Sequence, residues 1–408
     1  MGFQQGLSGL NAASKNLDVI GNNVANSNTV GFKNSQAQFA DVYAASLSGS
    51  GGGQVGIGVK VAAVAQQFVQ GNITATNNSL DIAINGQGFY RMDSNGSISY
   101  SRNGQFQLDK NGFIVSTNGH RLTGYGVDVN GNVVAAAPAA LQIPTADLTP
   151  RASAAVGVGL NLDARLPVPS VAVFNPADPL SFNNSTSLTV YDSLGNSHIA
   201  ALYFQKDAAA NTWNTFLTID NAPVSLGAAP ANQLTFNTNG TLATPVGGAL
   251  NAATFTPAGA APINLNFDFG TTSQFGALFG VNKLSQDGFT SGRLSGFSTD
   301  ANGIILGRYS NGQSKALGQV VLANFTNPQG LQPFGNNELG ETSTSGAPLV
   351  GAPGTGSLGV LQSAAVEDSN VDLTAELVNM IVAQRVYQAN AQTIKAQDAI
   401  LQTLVSMR

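Results

Sequence analysis

The sequence predicts a mainly β, α+β fold in which terminal α-helices form a coiled-coil-like inner domain, with nested antiparallel β barrel or sandwich domains. Three observations carry this. Apolar residues recur at helical spacing at each end of the chain, nine Asn-Gly dipeptides punctuate the region between, and strand-like alternation fills the gaps between those turns.

At the N-terminal end the apolar positions are Phe3, Leu7, Leu10, Leu17 and Val24, a heptad-like stripe with Ser14 and Gly21 as its weak steps. The run closes in the cluster from Gly21 to Asn28, rich in helix-stopping Asn. At the other end Leu373, Leu377, Met380, Tyr387, Ala391, Ile394, Leu401 and Val405 fall at helical steps, interrupted at Gln384 and Asp398. Asp372 or Ser369 can cap this helix, and no Pro or Gly follows Gly359 to stop it. A lone stripe of this kind usually packs into the core of a globular domain. Two narrow stripes at opposite ends of one chain, around a β-rich middle, point instead to helices that pair with each other. Gly2, Gly6 and Gly9 each weaken the first helix by up to about 1 kcal/mol. The ends are therefore expected to be mobile in a free subunit and ordered in a polymer.

Between the ends, Asn95, Asn103, Asn111, Asn118 and Asn130 each precede Gly, with strand residues such as Ile98, Tyr100, Phe106, Leu108, Phe113, Ile114 and Val115 between them. A second such region runs from Phe289 to Phe325. Ile263, Leu265, Phe267 and Phe269 alternate with Asn264, Asn266 and Asp268, as a half-buried strand requires. Residues 46–58 read as a Gly/Ser-rich connector. The expected nesting is 1–33 plus 370–408 as an inner helical polymerisation domain and 34–78 plus 359–369 as a connector. Residues 79–145 plus 285–358 then form a discontinuous middle β domain, and 146–284 an outer β domain.

Composition narrows the function. Only 10% of the 408 residues are charged, against about 25% in an ordinary domain, and the net charge is −5. Nucleic acid and anionic membrane surfaces, which call for clustered Lys and Arg, are not expected partners. No run of about 18 apolar residues exists, so membrane insertion is not expected. The start lacks a basic n-region, its first Lys being Lys15, so no cleavable signal peptide is expected. The absence of Cys excludes disulfides, thiolate metal sites and thiol catalysis. His120 and His198 lie far apart beside turns and form no catalytic pair. Gly354, Gly356 and Gly359 match a dinucleotide fingerprint only in letters, because they follow Ala352-Pro353 rather than a strand. Segments such as Asp109-Lys110-Asn111-Gly112 have Gly at the fourth position, which suits a turn and not a calcium loop. No catalytic residue, metal site or cofactor is expected, and the chain does not read as an enzyme.

Four blocks carry a family resemblance. The stretch from Asn22 to Lys33, containing Asn22, Asn23, Asn26, Thr29, Gly31, Phe32 and Lys33, resembles the N-terminal motif of flagellar rod and hook axial proteins. Ser79 to Phe89 and Tyr100 to Phe106 are similar to that family's next blocks, and Ser369 to Asn390 to its C-terminal helix. Val190 to Asn196, Ala323 to Leu331 and the long mid-chain insertion are similar to its hook branch rather than to a rod subunit. The resemblance implies a structural subunit of the bacterial flagellar hook. Such a subunit is exported without cleavage by the flagellar export apparatus and polymerises under a hook cap protein. The resulting curved extracellular tube joins the distal rod protein to the hook-filament junction protein. The tube acts as a universal joint that transmits torque from rod to filament and forms part of the export channel. On this reading the stripes of both helices are the assembly interface. A rod subunit, an adhesin-like binding protein and an enzyme are the competing readings.

Overall fold

A computed structural model describes residues 2–42, 56–128, 131–252 and 254–406. It is a mixed α+β protein in which strands dominate, with one long helix near each end: α1 (Gly2–Ala25) and α2 (Leu373–Ser406). The connector expected at 46–58 lies outside the described residues except at its last three positions. Flanking it, β1 (Ser35–Val42) and β2 (Gly58–Gln66) pair antiparallel from Ser35↔Gln66 to Val42↔Gly58. The segment expected to be a plain connector therefore contains a two-stranded ribbon.

The described chain divides into two compact units. One comprises Met1–Thr145, Gly296–Gly307 and Ser314–Arg408, and the other Ala146–Ser295 and Arg308–Gln313. In the first unit the strands Ser314–Val320, Arg121–Val127, Phe89–Ser94, Ser97–Ser101, Glu338–Gly340 and Gln332–Gly335 lie side by side in one sheet. Phe89, Tyr100, Ala323, Phe325, Leu331 and Leu339 share a core under it. Edge-to-face rings tie that core together, with Tyr100 and Phe325 centroids 4.8 Å apart. Two short ladders, Ile82–Asn85 with Val360–Ser363 and Ile73–Ala75 with Ala365–Glu367, bring the segment before α2 back beside early strands.

In the second unit two sheets share one apolar core, built from Val156, Leu160, Leu202, Phe204, Trp213, Leu217, Phe267 and Phe269 among others. The alternation read at Ile263–Phe269 is fully realised: each apolar residue is buried and each polar one exposed. Not every pairing is antiparallel. Ala155–Gly157 runs parallel to Asn266–Asp268, and Asn161–Asp163 runs parallel to Ser273–Phe275. Two short strands thus follow one another along the same edge of the nine-residue strand Ala155–Asp163, whose other edge pairs antiparallel with Gly280–Gln286.

Most described Asn-Gly dipeptides make turns, of two kinds, but Asn103-Gly104 does not: neither residue has positive φ and the expected hairpin is absent there. Asn95 and Gly96 both have positive φ (53° and 93°) and close a two-residue hairpin between Ser94 and Ser97. Around Gly112, only the glycine does (φ 83°), and Asp109 Oδ1 accepts from the backbone N–H of Asn111 and Phe113, each at 2.8 Å. Asp300 repeats this with Asn302 and Ile304, and Asp192 with Leu194 and Asn196. The Asp carboxylate caps the turn, which explains the calcium-like spelling without calcium. Asn130 lies outside the described residues.

Phe267 is a fully buried side chain at the centre of the second unit's core. Phe267→Ala is expected to destabilise that unit by about 3–5 kcal/mol, read as a lowered urea midpoint for the Trp213 fluorescence change.

Candidate assembly surface

The Asn22–Lys33 motif is where α1 stops and the chain is anchored. Asn26 Nδ2 donates to Asn22 O (3.0 Å) and Asn22 Oδ1 (2.7 Å), and Thr29 Oγ1 donates to Asn26 Oδ1 (3.1 Å). The first of these meets a helix-end carbonyl with a side chain, and the other two link side chains to one another. Asn23 is buried. It donates to Ser35 O (2.8 Å) and Glu376 Oε1 (3.1 Å) and accepts from Ser35 N (2.9 Å), so one amide ties the end of α1, the start of β1 and the first turn of α2. Gly31 has φ 72°, and a Cβ there would stand 2.6 Å from Asn103 N. No residue with a side chain fits both that backbone and that gap. Phe32 is half-buried beside it.

Lys33 ends the motif in a buried charge network. Its Nζ lies 2.6 Å from Glu367 Oε1 and donates to Val69 O at 2.8 Å. Arg102 Nε stands 3.4 Å from Glu367 Oε2, close enough for charge attraction but too poorly aligned for a hydrogen bond, so that oxygen has no hydrogen-bond donor. Arg102 spends its other nitrogens on Gly88 O and Gly86 O, both at 2.9 Å. Glu367 also accepts from Gly71 N (2.9 Å), and its carbonyl accepts from Gly31 N (2.8 Å). Burial lowers the pKa of Lys33 and of Arg102, and Glu367 opposes that in both by favouring the charged form. Three sequence blocks distant in the chain therefore meet at one carboxylate. Glu367 and Arg102 were not singled out by the sequence; a lone Lys closing a motif in so charge-poor a chain was the signal that a buried acid should exist.

From this anchor α1 and α2 run antiparallel. Asn23 meets Glu376, a Cβ on Gly9 would stand 2.6 Å from the Asn390 side chain, and one on Gly6 would stand 3.0 Å from Ile394. The seam is made mostly of small and polar residues, with Ile20 and Ile394 as its bulky apolar members. On α1 Gly6, Ala12, Ala13, Ile20 and Asn23 are buried. On α2 Glu376 and Ala383 are buried and Asn390 half-buried, one every seventh residue. This is not the row the sequence stripes suggested. Of the stripe residues Ile394 meets Gly6, and Leu10, Leu17, Val24, Met380 and Ala391 are half-buried. Phe3 (47%), Leu7, Leu373, Leu377 (45%), Tyr387, Leu401 (54%) and Val405 (76%) are exposed. A second exposed row, Val378, Val382 and Val386, was missed, although its four-residue spacing is visible in the sequence. Pairing of Gly6 with Ile394 also leaves roughly the last two turns of α2 beyond the start of α1, about 12 Å of helix. Asp372 caps α2, accepting from Thr374 N (2.9 Å) and Ala375 N (3.1 Å), so that expectation holds and Ser369 is not the cap.

Nothing in this geometry supplies chemistry. Among the described residues no group of three His, Asp or Glu is placed to hold a metal, and no helix is long and apolar enough to cross a membrane. A helix pair with exposed apolar side chains offers a packing surface, as a structural subunit would.

Comparison with known proteins gives the same class. Residues 3–33 match the family model described as flagella basal body rod protein, and 362–407 match the C-terminal model of flagellar basal body rod proteins FlgEFG. Residues 83–159 match the flagellar hook protein FlgE/F/G D1 domain, and 161–289 the flagellar basal body protein FlaE D2 domain. The chain is 44% identical to the flagellar hook protein FlgE of Escherichia coli K12 over the full length of both, and 44% identical to that of Salmonella typhimurium. It is 33% identical to that of Borreliella burgdorferi over 99% of this chain and 98% of the relative. A solved Helicobacter pylori flagellar hook protein FlgE2 shares the fold, with TM-score 0.54 and 15% identity over 72% of this chain and 100% of that one. The chain belongs to the flagellar hook protein family, and it is a structural subunit, not an enzyme.

Because Glu367 faces two buried cations, Glu367→Gln should cost about 3–5 kcal/mol. Lys33→Met should cost less, since Arg102 still faces the carboxylate. Chemical denaturation of both variants checks the order; a smaller loss for Glu367→Gln would contradict it.

Proposed function

We propose that this subunit polymerises through its two terminal helices into a curved hook tube. In that tube the exposed rows of α1 and α2 are buried against neighbouring copies. The observation that carries this is the apolar surface left open on α2, where Leu373, Leu377, Tyr387, Leu401 and Val405 stand exposed, Leu401 and Val405 in the turns that run past the start of α1. Each such side chain gains roughly 1.5–3 kcal/mol when fully buried. A chain of 10% charged residues has few salt bridges with which to hold a lattice, so the rows must supply the adhesion.

In this reading residues 1–33 and 370–408 form a coiled-coil-like inner layer lining the export channel, with 34–78 and 359–369 as connector. Residues 79–145 with 285–358, and 146–284, form successive β domains of barrel or sandwich type outside it. The β surfaces are rich in Gly, Ala, Ser, Thr and Asn. Contacts between such surfaces are individually weak and non-directional. Neighbours slide at small cost while the inner layer holds, which is what a universal joint transmitting torque from rod to filament requires. The partners are other copies, the distal rod protein, the hook cap protein, the hook-filament junction protein and the export apparatus that delivers the chain outside the cell uncleaved.

Leu377→Asp is expected to leave the monomer folded, because the side chain is already 45% exposed, and to abolish tube formation under salting-out conditions. Removal of 146–284 is expected to spare the tube and alter its curvature. Electron microscopy reads both. Wild-type tubes from Leu377→Asp would remove the role of α2, and straight tubes from the intact chain would favour a rod subunit.

A further inference from the structure

His198 lies on the strand Ser197–Lys206 of the second unit, with each ring nitrogen facing a different carboxylate. Nδ1 is 2.6 Å from Asp220 Oδ2, and Nε2 is 3.5 Å from Asp192 Oδ2. The ring is largely buried, with 14% of the side chain exposed, and packs T-shaped with Phe255, the ring centroids 5.6 Å apart. The two acids belong to different turns. Asp192 opens the turn to Asn196, accepting from Leu194 N, Asn196 N and Asn196 Nδ2. Asp220, with Asn221, forms the turn between Thr212–Ile219 and Ala222–Val224, both residues having positive φ (50° and 63°). Asp220 Oδ1 is occupied by Ile199 N at 2.9 Å. Asp192 and Asp220 are the charged groups facing the ring, and the imidazole is the cation each pairs with.

A neutral imidazole carries one N–H and one lone pair. It can donate to one of these carboxylates, but its other nitrogen then points a lone pair at the second. Only the doubly protonated ring satisfies both. We infer that His198 is a proton-operated clasp: charged, it holds the Asp192 and Asp220 turns together, and on losing a proton it releases one of them.

Burial opposes the charged ring, but the hydrogen bonds to Asp220 and Asp192 outweigh it and raise the pKa of His198 above its ordinary value. Asp192 is buried too, yet its hydrogen bonds from Asn196 and Leu194 hold it ionised, with a pKa of about 2. The sign follows. A raised folded-state pKa gives stability that is complete below the unfolded value of about 6.5 and is lost as pH rises through the folded value.

The test uses the full chain in its unpolymerised form. The protein has two His, so the ring Cε1–H signals are assigned by His120→Gln alone. The expected result is a His198 titration above about pH 6.5 that falls toward that value in Asp220→Asn, with a smaller fall in Asp192→Asn. Amide exchange in the Asp192 and Asp220 turns should speed up as pH rises through that titration, after correction for intrinsic exchange, and this pH dependence should vanish in His198→Gln. If His198→Gln does not fold, Asp220→Asn gives the same reading. A His198 titration at or below about 6.5, or turn exchange with the same corrected pH dependence without the ring's charge, would overturn the clasp.

Discussion

The buried carboxylate of Glu367 is the constraint on which the first unit depends. A charge removed from water is tolerable only when it is met by opposite charge and hydrogen bonds. Here Lys33, Arg102 and the Gly71 amide meet it. The partners come from a motif after α1, a β hairpin and a loop before a short ladder, so none of the three segments can shift without exposing an uncompensated charge. Gly31 lets the chain turn in against Asn103 at this point, and its own amide closes on the Glu367 carbonyl. The network sets where α1 ends and where α2 begins.

With those two ends fixed, the register of the helices follows. Asn23 on Glu376 starts an antiparallel pairing that places Gly9 against Asn390 and Gly6 against Ile394. Close approach at Gly6, Gly9 and Ala13 leaves little room for large side chains there, and Ile20 and Ile394 are the bulky apolar residues the seam takes in. Leu377, Leu401 and Val405 are left exposed in the isolated subunit, while Leu10, Leu17 and Val24 are half-buried. A leucine-filled seam would have made a more self-sufficient monomer and a poorer polymer.

The helices, most Asn-Gly turns and the burial alternation at Ile263–Phe269 were legible in the sequence because each rests on local pattern, although only Asn266–Asp268 of that run is a strand and Asn103-Gly104 is no hairpin. The ribbon Ser35–Val42 with Gly58–Gln66 was not, since Ala, Gln and Gly in those segments give no clear alternation. The parallel pairings of Ala155–Asp163 were equally hidden, because strand direction is decided by connections far apart in sequence. In the site, the Asn22–Lys33 motif was visible, but the role of Lys33 became clear only when Glu367 was found beside it. The apolar stripes divide in the structure into exposed and half-buried residues. What they pack against was invisible, because small residues such as Gly6 and Ala383 carry no hydrophobic signal, yet it is they that define the seam. The two His were read as surface turn residues; His198 is instead held between two acids that spacing alone does not bring together.

The central claim is that the outward rows of α2 are buried only by other copies. Amide hydrogen exchange of the full chain, before and after polymerisation, tests it most directly. The account predicts that amides from Leu377 to Val405 exchange fast in the free subunit and become strongly protected in the polymer, while the Phe204 and Phe267 core strands are unchanged. Equal protection of α2 in both forms would contradict it.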